Sequence, residues 1–212
     1  MRTAIHRIGL LALLGLAACA SAPQPVAGTE AAVSPAITDY VGAEVAALPA
    51  DDASGYMQRL QQALVAALSE TALNPKPDVR IINDDLLLFS LPTASSFEVN
   101  SGELRPEALA TYGAIAEVLR QYDHAVIHVL AFASEPADAD LTLSLPGRQA
   151  AAVAAYWIAQ GIPASRLRQS TSIADAASSA MKSAGQLVIA VKPVVQGHEN
   201  QAWIPPSLPM TH

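Results

Sequence analysis

The chain has 212 residues and a formal net charge of -7. Its Lys and Arg residues are scattered and form no basic stripe, which excludes a protein that binds nucleic acid by neutralising phosphates. With 51% apolar and 5% aromatic residues, the core should be small and aliphatic; the single cysteine, Cys19, excludes an internal disulfide.

Residues 1–18 have the layout of a bacterial export signal. Arg2 and Arg7 supply the positive start, and residues 8–16 form an apolar stretch too short to span a bilayer. The stretch ends in Leu16-Ala17-Ala18-Cys19. This tetrad resembles the lipobox of bacterial lipoproteins. The resemblance implies cleavage before Cys19, diacylation of its sulfur and acylation of the new amino terminus. Several acyl chains at one point anchor a protein stably, where one chain is marginal. Ala20 follows the cysteine where an Asp would retain the protein, which in Gram-negative lipoproteins implies transfer to the outer membrane. The expected location is thus the outer membrane, lipid-anchored and facing the periplasm. The competing reading is an ordinary secretory signal cut near Ala18 or Ala20, with Cys19 incidental.

Residues 19–50 are rich in Ala, Pro, Ser and Val with little charge, and predict a flexible lipidated linker, with a short helix over 37–48 as a possible interruption. Residues 51–78 predict an amphipathic helix and its connection. Asp51 or Asp52 caps it, and Met57, Leu60, Leu64 and Leu68 make its apolar face. Asn74-Pro75-Lys76-Pro77 stops it. The face can cover the domain's own core, the favoured reading, or meet a partner.

Residues 79–195 predict one domain. Strands over 79–82 and 86–91 flank a turn at Asn83-Asp84-Asp85, residue types that tolerate left-handed backbone. Pro92 ends the second, and Phe97 anchors the loop that follows. Pro106 starts a helix with a stripe of Leu109, Tyr112, Ala116 and Leu119, widened by Ile115 and Val118. Residues 125–132 are a continuous apolar run interrupted only by His128, as a covered strand requires. A helix over 147–160 carries Ala150, Val153, Ala154, Trp157 and Ile158 on one face, with Gly161 as its left-handed cap. Pro163 leads to an edge strand over 166–172, then a weak helix or loop over 174–183, then a strand over 187–191 closed by Pro193. Residues 196–212, with three prolines and no period, predict an extended or disordered tail. Successive strand–helix units give an α/β (α+β) class: a β-α-β-α-β(β) order, with a mixed sheet and helices on one face.

Residues 88–193 resemble the OmpA-like C-terminal domain, the peptidoglycan-associating module of outer-membrane proteins and lipoproteins. The resemblance rests on the run Phe97-Glu98-Val99-Asn100-Ser101-Gly102-Glu103-Leu104-Arg105-Pro106, on Ile127-His128-Val129, on Leu145, Ala150 and Val153, and on Gly161-Ile162 followed by Arg166-Leu167. The family carries Gly-His-Thr-Asp after its second strand, and then an Asn, a Leu-Ser pair and an Arg-Ala pair. The ungapped positions here are Ala131-Phe132-Ala133-Ser134, Thr142, Leu145-Pro146 and Gln149-Ala150. In the family the Asp and Arg hold the ammonium and carboxylate of the wall peptide's diamino acid, and Ser134 and Gln149 take those places here. A neutral amide cannot replace the two charge-assisted bonds of a guanidinium. Arg148 lies one residue early, about 100° around the helix. Asp138 and Asp140 offer displaced carboxylates. An arginine, Arg148 or Arg166, facing Asp138 or Asp140 would rebuild the pocket. The family's arginines near the last strand are also missing, with Gly185-Gln186 there instead.

No motif announces an enzyme, a metal site or a cofactor. Ser134 has no glycine elbow and no evident base. His124 and His128 lie on a strand, where four positions separate them by about 13 Å, too far for one metal. Glu135, Asp138 and Asp140 lack the glycine and downstream glutamate of a calcium loop. The sequence therefore points to a non-enzymatic outer-membrane lipoprotein that links the membrane to peptidoglycan or to an envelope assembly. The alternative is a scaffold subunit that keeps the fold, binds envelope proteins and has abandoned the wall pocket. An envelope hydrolase ranks third.

Overall fold

The computed structural model describes residues 45–74, 76–133, 144–173 and 185–199. Cys19, Ser134, Asp138, Asp140 and Thr142 lie outside them, as do the expected signal, the weak helix over 174–183 and most of the linker and tail.

Five strands form one mixed sheet in the order β1-β2-β5-β3-β4: β1 (Arg80–Ile82), β2 (Leu86–Pro92), β3 (Ala125–Ala133), β4 (Leu167–Ile173) and β5 (Gln186–Pro193). Only β3 and β4 pair in parallel, with Ile127 opposite Leu167; the other three pairings are antiparallel. The β1–β2 turn uses Asn83 at φ 51° and Asp84 at φ 63°, as its residue types predict.

Three long helices, α1 (Ala50–Ser69), α3 (Pro106–Gln121) and α4 (Leu145–Ala159), supply the side chains that meet one face of the sheet; α2 (Thr93–Ser96) is a single turn. Along each strand alternate residues turn toward them: Leu87, Phe89 and Leu91 on β2, Ile127 and Val129 on β3, Ile189 and Val191 on β5. The α1 face is as predicted, with Met57, Leu60 and Leu64 fully buried. Trp157 of α4 donates its indole N–H to Tyr112 O of α3 at 3.0 Å, so the two helices share a polar bond inside an apolar contact. The α4 C-terminus is a Schellman turn: Ile162 N donates to Trp157 O and Gly161 N to Ile158 O, with Gly161 at φ 92°.

Several expectations need correction. Helix α1 begins at Ala50 behind Pro49, and neither Asp51 nor Asp52 caps it; both sit in the first turn, where their charge favours the exposed amides. Helix α4 begins two residues early, because Ser144 caps it with Oγ accepting from Gly147 N at 3.3 Å. Leu109 and Ile158 are 37% and 46% exposed, at the rim of their helices. The period of 3.6 permits two adjoining stripes, and the sheet takes the one that buries the smaller Ala108 and Thr111 on α3.

The predicted linker also ends early and the tail begins late. Leu48 pairs in parallel with Val195, donating to Val194 O at 2.8 Å and accepting from Gln196 N at 2.9 Å. Residues 45–48 are therefore part of the domain and not helical, and Gln196 is tied to them rather than loose.

Candidate functional site

The place where the family pocket would open lies at the C-terminal end of β3 and the N-terminus of α4. A third wall comes from the loop between Phe97 and Leu104, which close it as an isolated antiparallel pair. Glu98 N donates to Glu103 O, and Ser101 N to Glu98 O, both at 3.0 Å. The reversal needs a left-handed residue, and Asn100 provides it at φ 55°. Ser101 Oγ accepts from Glu103 N at 3.0 Å, so the loop is held by its own backbone and one hydroxyl.

Two of the six predicted pocket residues stand here side by side, and they point apart. Gln149 is 7% exposed and donates Nε2 to Ser101 O at 3.2 Å. Its amide is thus committed to holding the loop against α4. Arg148 is exposed, and its backbone forms the surface on which Gly102 lies. A Cβ at Gly102 would stand 3.2 Å from Arg148 Cβ and 3.3 Å from its carbonyl oxygen, so the loop approaches closely because residue 102 has no side chain. One turn of helix, one loop and one amide bond therefore define this wall.

Arg166 is excluded from the pocket. It is 3% exposed at the other end of β3, with Nε donating to Ala125 O at 2.8 Å and Nη2 to Tyr122 O at 2.5 Å. Its guanidinium satisfies carbonyls at the α3–β3 junction, and burial lowers its pKa from the ordinary arginine value. Tyr56 of α1 closes the same junction. Its hydroxyl accepts from His124 N at 3.1 Å, and its ring meets Tyr122 edge-on at 5.4 Å. Burial raises the Tyr56 hydroxyl well above its ordinary 10.0. This cluster is a structural joint. The sequence did not announce it, since an Arg after a 3₁₀ turn and a Tyr on a helix are both ordinary surface residues until a buried carbonyl is found opposite them.

Among the described residues no group of three His, Cys, Asp or Glu side chains stands ready to hold a metal. Gly185, in place of the family's arginine neighbourhood, accepts from both the backbone N–H and the hydroxyl of Thr93 at 2.9 Å, which pins α2 to the start of β5.

Residues 96–189 match the OmpA family. The domain is OmpA-like. A search of curated proteins finds "Probable lipoprotein YiaD" of Escherichia coli (strain K12), 30% identical over 84 residues that make up 40% of this chain and 38% of that relative. The match thus spans under two fifths of the relative's length. A MotB-like protein from Desulfovibrio vulgaris superposes with a TM-score of 0.54 at 11% identity, over 68% of this chain and 98% of that one. At that identity the likeness speaks for the fold alone. The expected mixed sheet, with helices on one face, is the OmpA-like arrangement. Helix α1 and strands β1 and β2 precede the family match, yet they complete the OmpA-like domain's sheet and core.

Proposed function

We propose that this protein is a non-enzymatic outer-membrane lipoprotein, held by acyl chains on Cys19, whose OmpA-like domain links the membrane to the cell wall or to an assembly beside it. The observation that carries the reading is the conjunction of a complete lipobox, Leu16-Ala17-Ala18-Cys19, with an OmpA-like domain over 96–189. The likeness to a relative named as a lipoprotein supports the same reading. In this reading the export signal is residues 1–18 and the anchor is palmitate-class acylation at Cys19.

Wall contact here cannot use the family's arginine, because Gln149 stands at that position in the ungapped register and its amide is bonded to Ser101 O. Any charge for a wall peptide comes from Arg148 and from Asp138 or Asp140, with Ser134 and Thr142 as neutral lining. The Gln149 bond also favours the second reading, a scaffold that retains the fold and binds an envelope protein instead. Retention on isolated sacculi separates the two. Retention that is weakened by free diaminopimelate and by Arg148→Ala supports wall binding. No retention, with co-purification of an envelope complex, supports the scaffold. Cys19→Ser should release the protein from the membrane fraction; its persistence there would refute the anchor.

A further inference from the structure

Helix α1 carries a second, polar stripe beside its buried one. Ser54, Gln58, Gln61 and Gln62 are spaced so that they align along one side of the helix, next to Met57, Leu60 and Leu64. A glutamine stripe alone is a solvated helix face. Here the β1–β2 hairpin stands opposite it. Ile81 and Asp84 of that hairpin complete a groove of about 390 Å³, a volume in the range of small-ligand sites.

The chemistry of the lining selects a class of ligand. Gln61 is half-buried, and its Nε2 donates to Val79 O at 2.8 Å, just before β1. That bond fixes the amide and leaves its Oε1 as an acceptor for the groove. Asp84 is the one charged side chain of the lining, and among the described residues it makes no ion pair. Two cations of the same region are already engaged: Arg80 meets Asp78 at 2.9 Å, and Lys192 meets Asp85 at 3.3 Å. A phosphate or carboxylate ligand would therefore find a like charge and no counter-charge. A ligand rich in hydroxyls finds partners for each role. The Ser54 hydroxyl and the Gln58 and Gln62 amides donate and accept, while Asp84 and Gln61 Oε1 accept. A hydroxyl given to Asp84 makes a charge-assisted bond. Ile81 offers an apolar surface to the C–H face of a sugar ring.

We propose that the groove between α1 and the β1–β2 hairpin is a binding site for an uncharged saccharide. The place is separate from the Gln149 wall: β1 is an edge strand, and β2 and β5 lie between it and β3. It also precedes residues 96–189, the stretch that matches the family. Saccharide binding here does not depend on what the domain meets at α4.

The test is an NMR titration of the isotope-labelled full chain in detergent with three probes. Two are uncharged, cellotriose and the fully N-acetylated glucosamine trimer; the third is the cationic glucosamine trimer without its acetyl groups. At least one uncharged probe should shift the signals of Ser54, Gln58, Gln62 and Asp84, with a Kd on the order of 1 mM. Asp84→Asn should weaken that binding about tenfold, the loss of one charge-assisted bond. Gln58→Ala with Gln62→Ala should weaken it as much; both side chains are exposed, so the melting transition should not move. Absence of any shift with both uncharged probes overturns the proposal, and so does binding indifferent to these substitutions. Shifts confined to residues 98–104 and 145–149 would place the sugar at the other site and overturn it too. Tighter binding of the cationic trimer would make Asp84 a holder of cations, which also overturns it.

Discussion

Gln149 Nε2 donates to Ser101 O at 3.2 Å, joining the first turns of α4 to a loop 48 positions earlier in the chain. The bond is nearly buried, and it occupies the residue from which a guanidinium would otherwise reach a ligand. Its loss leaves a half-buried carbonyl without a donor. Gln149→Ala should therefore lower unfolding stability by about 1–3 kcal/mol, read from urea midpoints. The same substitution should leave sacculus retention intact, because the amide holds the loop and does not face a ligand. Retention lost at unchanged stability would show the opposite.

Gly102 lies on the Arg148 backbone of that same helix turn. Gly102→Ala places a methyl group 3.2 Å from Arg148 Cβ, tighter than ordinary contact, and the loop must move outward. A cost of about 1–3 kcal/mol is expected, as for other overpacked sites. Combined with Gln149→Ala the two costs should fall short of their sum, since the second change relaxes the contact that the first one crowds. Strict additivity in the double-mutant cycle would mean that the loop and helix are not one unit.

Helix α1 lies outside the stretch that matches the OmpA family, but Leu64 is fully buried in the same core as Phe89 and Ile127. Leu64→Ala should cost about 2–5 kcal/mol and unfold the whole domain in one transition. A separate early transition, with the OmpA-like part unaffected, would make α1 an appendage instead.

Sequence periodicity was enough wherever the physics is local or repetitive. Strands β3 and β5 are apolar and buried at almost every position, so their runs stand out without reference to a partner. Pro106 and Gly161 mark a helix start and a helix end through their own backbone chemistry. The contacts that depend on a distant residue were not legible. Leu48 pairs with Val195 across nearly the whole domain, and nothing in residues 45–48 distinguishes them from a tether. A glutamine on a helix reads as surface, yet Gln149 is buried because Ser101 O needs a donor. Ser144 is the converse case: a serine two residues before a proline at the start of an apolar helix is a local cap signal, yet the expected start at 147 passes over it, and it marks the true start of α4.

Arg166 is another buried polar residue whose role comes from carbonyls. It donates to Ala125 O and Tyr122 O at the α3–β3 turn. Arg166→Met keeps the aliphatic stem and removes both donors. The expected loss is about 3 kcal/mol or more, since each charge-assisted bond contributes about 1.5–3 kcal/mol. Arg166→Lys should recover part of it, as an ammonium reaches one carbonyl but lacks the fork. Sacculus retention by the folded fraction should be unchanged, which keeps this arginine apart from any wall pocket.

Alkaline pH should weaken the fold through its two buried tyrosines. Burial raises the hydroxyls of Tyr56 and Tyr112 well above the ordinary 10.0; the Arg166 charge opposes the shift at Tyr56, and Ser96, whose own hydroxyl is given to Pro92 O at 2.7 Å, opposes it at Tyr112. The folded state thus keeps protons that the unfolded chain releases. Stability is complete below about pH 10 and falls as pH rises beyond it, by up to about 1.4 kcal/mol per pH unit for each tyrosine. Urea midpoints between pH 8 and 11 should show that decline. Among the described residues Tyr112 Oη has no partner at hydrogen-bond geometry, Ser96 Oγ being turned to Pro92 O, so Tyr112→Phe should cost little at neutral pH and make the alkaline decline shallower. Tyr56→Phe should do the same at high pH but lose about 1 kcal/mol throughout, because His124 N then has no acceptor. Stability that stays level to pH 11 would place these hydroxyls in water.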